Sequence, residues 1–170
     1  MRLQEMAAIS ELLDTLADEQ WDHASLCDDW RVRDVISHMC LGYTTTFPVM
    51  LAKIARRGFN VPKASKEESI AYGSSHTPDQ LRQTFATIHG QNIRKGITRV
   101  ISDKEGFVDH FIHHQDIRRP LGLPRPMPAD RLLAALDAAP GLGGFVRAKQ
   151  RSGGLRFVAT DIDWSHGDGA

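Results

Sequence analysis

Apolar residues recur at steps of three and four through much of the chain, the period of an α-helix that rests one face on a core. From about residue 3 to residue 18 the stripe is Leu3, Met6, Ile9, Leu12, Leu13 and Leu16. A loop carrying Trp21, Ser25, Leu26 and Cys27 follows. Asp28-Asp29 then supplies an N-cap for a second helix from Trp30 to about Arg57, with an apolar face of Val32, Val35, Ile36, Met39, Tyr43, Met50 and Ile54. Pro48 inside it predicts a kink, and Gly58 ends it. Residues 60–75 are polar and mixed, with Pro62, Ser65, Ser69, Gly73 and Ser74, and read as a connection of crossover length. Thr77-Pro78-Asp79-Gln80 opens a third helix expected to reach about Ile101, because Thr caps, Pro suits the first turn and Gln closes a capping box. A fourth helix spans about Asp103 to Arg119 and is ended by Pro120-Leu121-Gly122.

The character changes after residue 122. Pro124, Pro126 and Pro128 make a stiff extended connector, a short helix covers about Ala129 to Ala138, and Pro140-Gly141 with Gly143-Gly144 breaks it. Leu155 to Ile162 is the strand candidate. A lone strand leaves its edges unpaired, so it implies a truncated C-terminal α/β unit or a partner from elsewhere. The pattern therefore predicts a mainly α protein: a four-helix bundle with a crossover over residues 1–122, then a connector, short helix and strand over 123–170. Bundles build their ligand and metal sites from side chains on facing helices.

Charge narrows the function classes. Of the 170 residues, 21 are Lys or Arg and 21 are Asp or Glu. A net charge of zero removes the whole-molecule attraction that nucleic-acid and anionic-membrane binding draw on, so neither partner is expected. No apolar run approaches the ~20 residues that span a bilayer, the opening Met1-Arg2-Leu3-Gln4-Glu5-Met6 is unlike a secretory signal, and two cysteines make no disulfide framework. A cytoplasmic protein is the expectation.

Eight histidines direct attention to the fourth helix. At 100° per residue, Val108, Ile112, Asp116, Asp109 and His113 fall on one arc of about 140°, opposite Phe107, Phe111, His110 and His114. Asp109 and His113, at i and i+4, can share one metal ion, and Asp116 can hold the second nitrogen of His113. His38, beside Val35 on the second helix, is the best third ligand. Three protein ligands leave an open position on a divalent ion such as zinc, the condition for a reactive site. His110 and His114 have the same spacing, so the pattern leaves open which arc is buried. An exposed Phe107/Phe111 arc would instead indicate a partner surface, a homodimer included. Cys27 and Cys40 read as small packing residues. Arg118, Arg119 and Arg125 are solvated cations or a clamp for the carboxylates of an anionic ligand.

Two blocks carry a family resemblance. Trp21 followed by Ser25-Leu26-Cys27-Asp28-Asp29-Trp30-Arg31-Val32-Arg33-Asp34-Val35-Ile36-Ser37-His38, and His113-His114-Gln115-Asp116-Ile117-Arg118-Arg119-Pro120-Leu121-Gly122, resemble the signatures of the mycothiol-dependent maleylpyruvate isomerase family. The tail, Gly154 to Trp164, looks like the opening of the small C-terminal domain that many members carry. The resemblance implies a DinB-like bundle holding a divalent metal, usually zinc, on two histidines and a carboxylate, here His38, His113 and Asp109. The family's carboxylate is typically Glu; Asp109 is one methylene shorter. It also implies mycothiol as cofactor, with its thiolate adding to an electron-poor double bond, rotation about the resulting single bond, and departure of the thiolate. An isomerase or a thiol transferase acting on a small, anionic electrophile is the leading expectation. A non-catalytic metal- or ligand-binding bundle is the alternative.

Overall fold

The computed structural model describes residues 1–142 and 147–169. The described chain divides into two compact units, Met1–Pro124 and Arg125–Ala170. It is mainly helical, with eight α-helices and one two-stranded sheet among the described residues, a DinB-like helical architecture.

In the first unit α1 (Arg2–Thr15), α2 (Val32–Thr44), α5 (Pro78–Gly90) and α6 (Asp103–Arg118) converge on one core. Most of the expected stripes are buried, Met6, Ile9, Leu12 and Leu13 of α1 and Val35, Ile36, Met39 and Tyr43 of α2, while Leu3 is 41% exposed; Leu81, Phe85 and Ile88 of α5 complete the core with Trp21 and Ile117. α5 starts on its expected box, Gln80 N donating to Thr77 Oγ1 and Thr77 N to Gln80 Oε1. α6 is capped in the same way by Ser102 and Glu105.

Three expectations are corrected. The long second helix is two, α2 and α3 (Phe47–Ala55), because Thr45 and Thr46 are extended and Pro48 lies in the first turn of α3, where its missing N–H costs nothing. The N-cap of α2 is Arg31 rather than Asp28-Asp29; Asp34 reaches back to accept from Arg31 N at 2.9 Å. The segment 60–75 is no loop but α4 (Val61–Ser75), packed along α2. Its buried stripe is Ala64, Ser69 and Gly73, small residues that let the two backbones approach but leave no apolar periodicity to read.

The third helix also stops earlier than expected. Beyond Gly90 the chain turns through Asn92, at positive φ, and Gly96, where a Cβ would lie 2.1 Å from the Thr45 carbonyl oxygen. That close approach and a φ of +49° admit only glycine. A single 3-10 turn, Gly96–Arg99, then leads to α6.

In the second unit, α7 (Ala129–Ala138) and α8 (Ala148–Ser152) precede a hairpin in which β1 (Phe157–Val158) pairs antiparallel with β2 (Ser165–His166). The strand expected over 155–162 is shortened to two residues, and its partner is the chain's own continuation. Trp164 Nε1 ties the hairpin to Asp137 of α7 at 2.8 Å. The Gly143-Gly144 break lies outside the described residues.

Candidate metal centre

On α6 the Phe arc is the inner one. Phe107, His110, Phe111 and His114 are buried, which removes them as a partner surface, whereas Ile112 is 41% exposed. The inner histidines have structural partners. His114 Nδ1 meets Glu5 Oε1 of α1 at 2.7 Å with both side chains fully buried, and Arg118 Nε donates to His114 Nε2 at 2.8 Å. His110 Nε2 and the Tyr43 hydroxyl share a 2.8 Å hydrogen bond.

The other arc of α6 therefore sits at the boundary between core and solvent, where a site stays accessible. His113 Nε2 lies 3.6 Å from Asp109 Oδ1, one turn away. Across from them His38 of α2 presents its ring 5.2 Å from that of His113, nearly edge-on. One donor atom each from His38, Asp109 and His113 falls within 4.8 Å of the others, close enough for one divalent ion to be shared. The Asp109 side chain is 44% exposed, so the cluster is open on its carboxylate side.

Each of the three has an outer support. Ser65 Oγ of α4 is 3.2 Å from His38 Nδ1. Asp116 Oδ2 is 3.0 Å from His113 Nδ1. Both rings thus turn Nε2 inward, the arrangement in which a neighbour fixes the tautomer and orientation of a ligating imidazole. Behind Asp109, His110 Nδ1 is buried without a formed hydrogen bond, 3.4 Å from Asp109 Oδ2. Two imidazole nitrogens and a carboxylate oxygen converging at this spacing fit a shared divalent cation.

The electrostatics agree. Burial, reinforced by His113, pushes His38 down to about 4, so it is neutral and ready to ligate. His113 would also be lowered by burial, but Asp109, then Asp116 and Cys27, outweigh that and raise it to about 10. Asp109 is held below the usual carboxylate range: desolvation acts to raise it, and the charge of His113, the contact with His110 and then His38 more than offset this. Without an ion, His113 and Asp109 form a charge pair beside a neutral His38.

Sequence reasoning missed what the loop 24–31 does. An antiparallel bridge between Ala24 and Arg31, the Ser25 Oγ bond to Trp30 O and positive φ at Asp29 fold it tightly. The Trp30 ring lands 5.1 Å from that of His38. Leu26 N donates to the Asp116 carbonyl at 3.0 Å, and the Cys27 thiol donates to Asp116 Oδ2 at 3.2 Å, 3.8 Å from His113 Nδ1. Cys27, His113 and Asp116 thus form a second group with ligand-like spacing on the far side of the same ring. The Cys-x-x-Trp spacing was the available signal. Cys40, by contrast, is buried in the core with its thiol pushed up to about 12, and is inert packing as expected.

Arg118 is engaged with His114 and the Leu123 carbonyl, Arg119 is exposed, and Arg125 opens the second unit.

Residues 2–91, a little over half of the chain, match the mycothiol maleylpyruvate isomerase N-terminal domain family. The chain belongs to that family. No curated protein and no solved structure shows significant similarity to it. Within this mycothiol maleylpyruvate isomerase N-terminal domain match lie Cys27, Trp30, His38 and Ser65; Asp109 and His113 lie beyond it, so their half of the site rests on geometry. No described helix is long and apolar enough to cross a membrane.

Proposed function

We propose that His38, Asp109 and His113 hold a divalent metal, zinc by preference for two imidazoles and one carboxylate, and that the protein is a mycothiol-dependent isomerase or thiol transferase acting on a small, anionic electrophile. The convergence of these three donors in a member of a mycothiol-related family supports the reading. The Cys27 group is the weaker metal position, since its donors already satisfy one another.

A bound divalent ion would lower the pKa of a coordinated thiol, supplying a nucleophilic thiolate near neutral pH. The chain's own residues do the rest. Asp116 and Ser65 orient the two imidazoles, and the exposed side of Asp109 leaves an approach for the thiol and its acceptor. Trp30, its ring tilted 41° to that of His38, walls one side of the cluster against water.

The test is divalent metal per chain in the parent and in His38→Ala. About one ion in the parent and none in a folded variant is the expected result. Metal retained by His38→Ala overturns the ligand set. Cobalt-loaded protein should then show a sulfur-to-metal charge-transfer band on adding mycothiol; its absence with metal firmly bound would favour the non-catalytic reading.

A further inference from the structure

Helix α3 is amphipathic the wrong way round. Its half-buried stripe is Met50, Lys53 and Ile54, continued by Arg57, and the two cations reach inward to Glu67 and Glu68 of α4. The outward stripe is wholly apolar: Phe47, Pro48, Leu51, Ala52 and Ala55, with Phe47 53% and Leu51 49% exposed. The 3-10 turn Gly96–Arg99 packs against the start of α3 and adds Ile97 and, just after it, Val100, which is 73% exposed.

The zero net charge conceals a segregation at this face. Residues 44–66 and 80–102 contain no Asp or Glu. Most of their cations pair with acids elsewhere, but Arg56, Lys95 and Arg99 are exposed and have no acidic partner among the described residues. The result is a projecting apolar ridge with an uncompensated basic rim.

We propose that α3 and the adjoining 3-10 turn dock the protein on an anionic phospholipid surface, with Phe47, Leu51 and Val100 entering the headgroup boundary and Arg56, Lys95 and Arg99 meeting lipid phosphates. A second copy of the chain fits the face poorly. A two-fold contact sets the same cations against one another, and a nine-residue helix, about 13 Å long, offers less than the roughly 1,000 Å² of a specific interface. The inference does not depend on the metal centre.

Vesicle flotation of the full chain tests it, using phosphatidylglycerol–phosphatidylcholine vesicles beside phosphatidylcholine alone. Binding to the anionic vesicles that weakens as salt is raised, with little binding to neutral ones, is expected. Leu51→Glu and Arg56→Glu should each lower it by about tenfold or more while circular dichroism and metal content stay unchanged. No binding to anionic vesicles, or binding indifferent to both substitutions, overturns the proposal. So does a solution dimer that Leu51→Glu dissociates in a protein that ignores vesicles, which would assign the face to self-association.

Discussion

Replacing Asp116 by Asn removes one charge from the site while leaving its shape nearly unchanged. Asp116 Oδ2 sits 3.0 Å from His113 Nδ1 and 3.2 Å from the Cys27 thiol, with the side chain 16% exposed, so solvent screens the contact little. The link from Leu26 N to Asp116 uses the main-chain carbonyl and survives the substitution. A hydrogen bond to an ionised acceptor contributes about 1.5–3 kcal/mol and a neutral one about 1, so the Asn variant forfeits on the order of 1–2 kcal/mol. That loss reaches His113 Nε2 as lower basicity and weaker orientation. It corresponds to roughly 5- to 30-fold in metal affinity, overlapping the range for loss of a neighbour that orients a ligand. Chelator competition at fixed pH measures it, with circular dichroism confirming the fold. An Asp116→Asn protein that binds the ion within about twofold of the parent would refute the chain of support from Asp116 through His113.

Asp109→Glu should bind metal at least as tightly as the parent, because the longer side chain reaches further into the cluster; tighter binding in metal titrations is expected, and loss of metal together with loss of fold would show that Asp109 has another role. Metal-free protein should be most stable near pH 6.5. His38, depressed from 6.5 to about 4, contributes stability that is present above 6.5 and lost as pH falls towards 4, whereas His113, raised to about 10, contributes stability that is present below 6.5 and lost as pH rises towards 10. Urea midpoints that climb steadily from acid to alkali would contradict this. Gly73→Ala, a change that raises helix propensity by about 1 kcal/mol, should instead destabilise by about 1–3 kcal/mol. Its Cβ would lie 2.6 Å from Asp34 Oδ1 and 3.0 Å from Ser37 Oγ on α2; an unchanged melting temperature would show that α4 is free to shift.

Periodicity in the sequence was enough to place α1 and α2 with most of their buried stripes, because large apolar side chains at helical spacing have one economical solution, a shared core. The start signal at Thr77 was legible for a similarly local reason: a capping box satisfies backbone groups within four residues. The pairing of Asp109 with His113, and of His113 with Asp116, also follows from spacing along one helix. Which arc of α6 faces inward did not, because phenylalanines and histidines on one side and aliphatics on the other were balanced. Glu5, reaching His114 from α1, and Tyr43, reaching His110 from α2, tip that balance, and only the packing of separate helices brings them there. The same holds for Ser65 behind His38 and for Cys27 behind Asp116, polar contacts between distant segments that leave no period. α4 escaped notice because its contact face is made of small residues, whose role is to let backbones approach rather than to bury area. Local chemistry thus dictated the large-residue helices and half of the site, while α4, the remaining ligand supports and the exposed ridge of α3 exist only once the helices are packed.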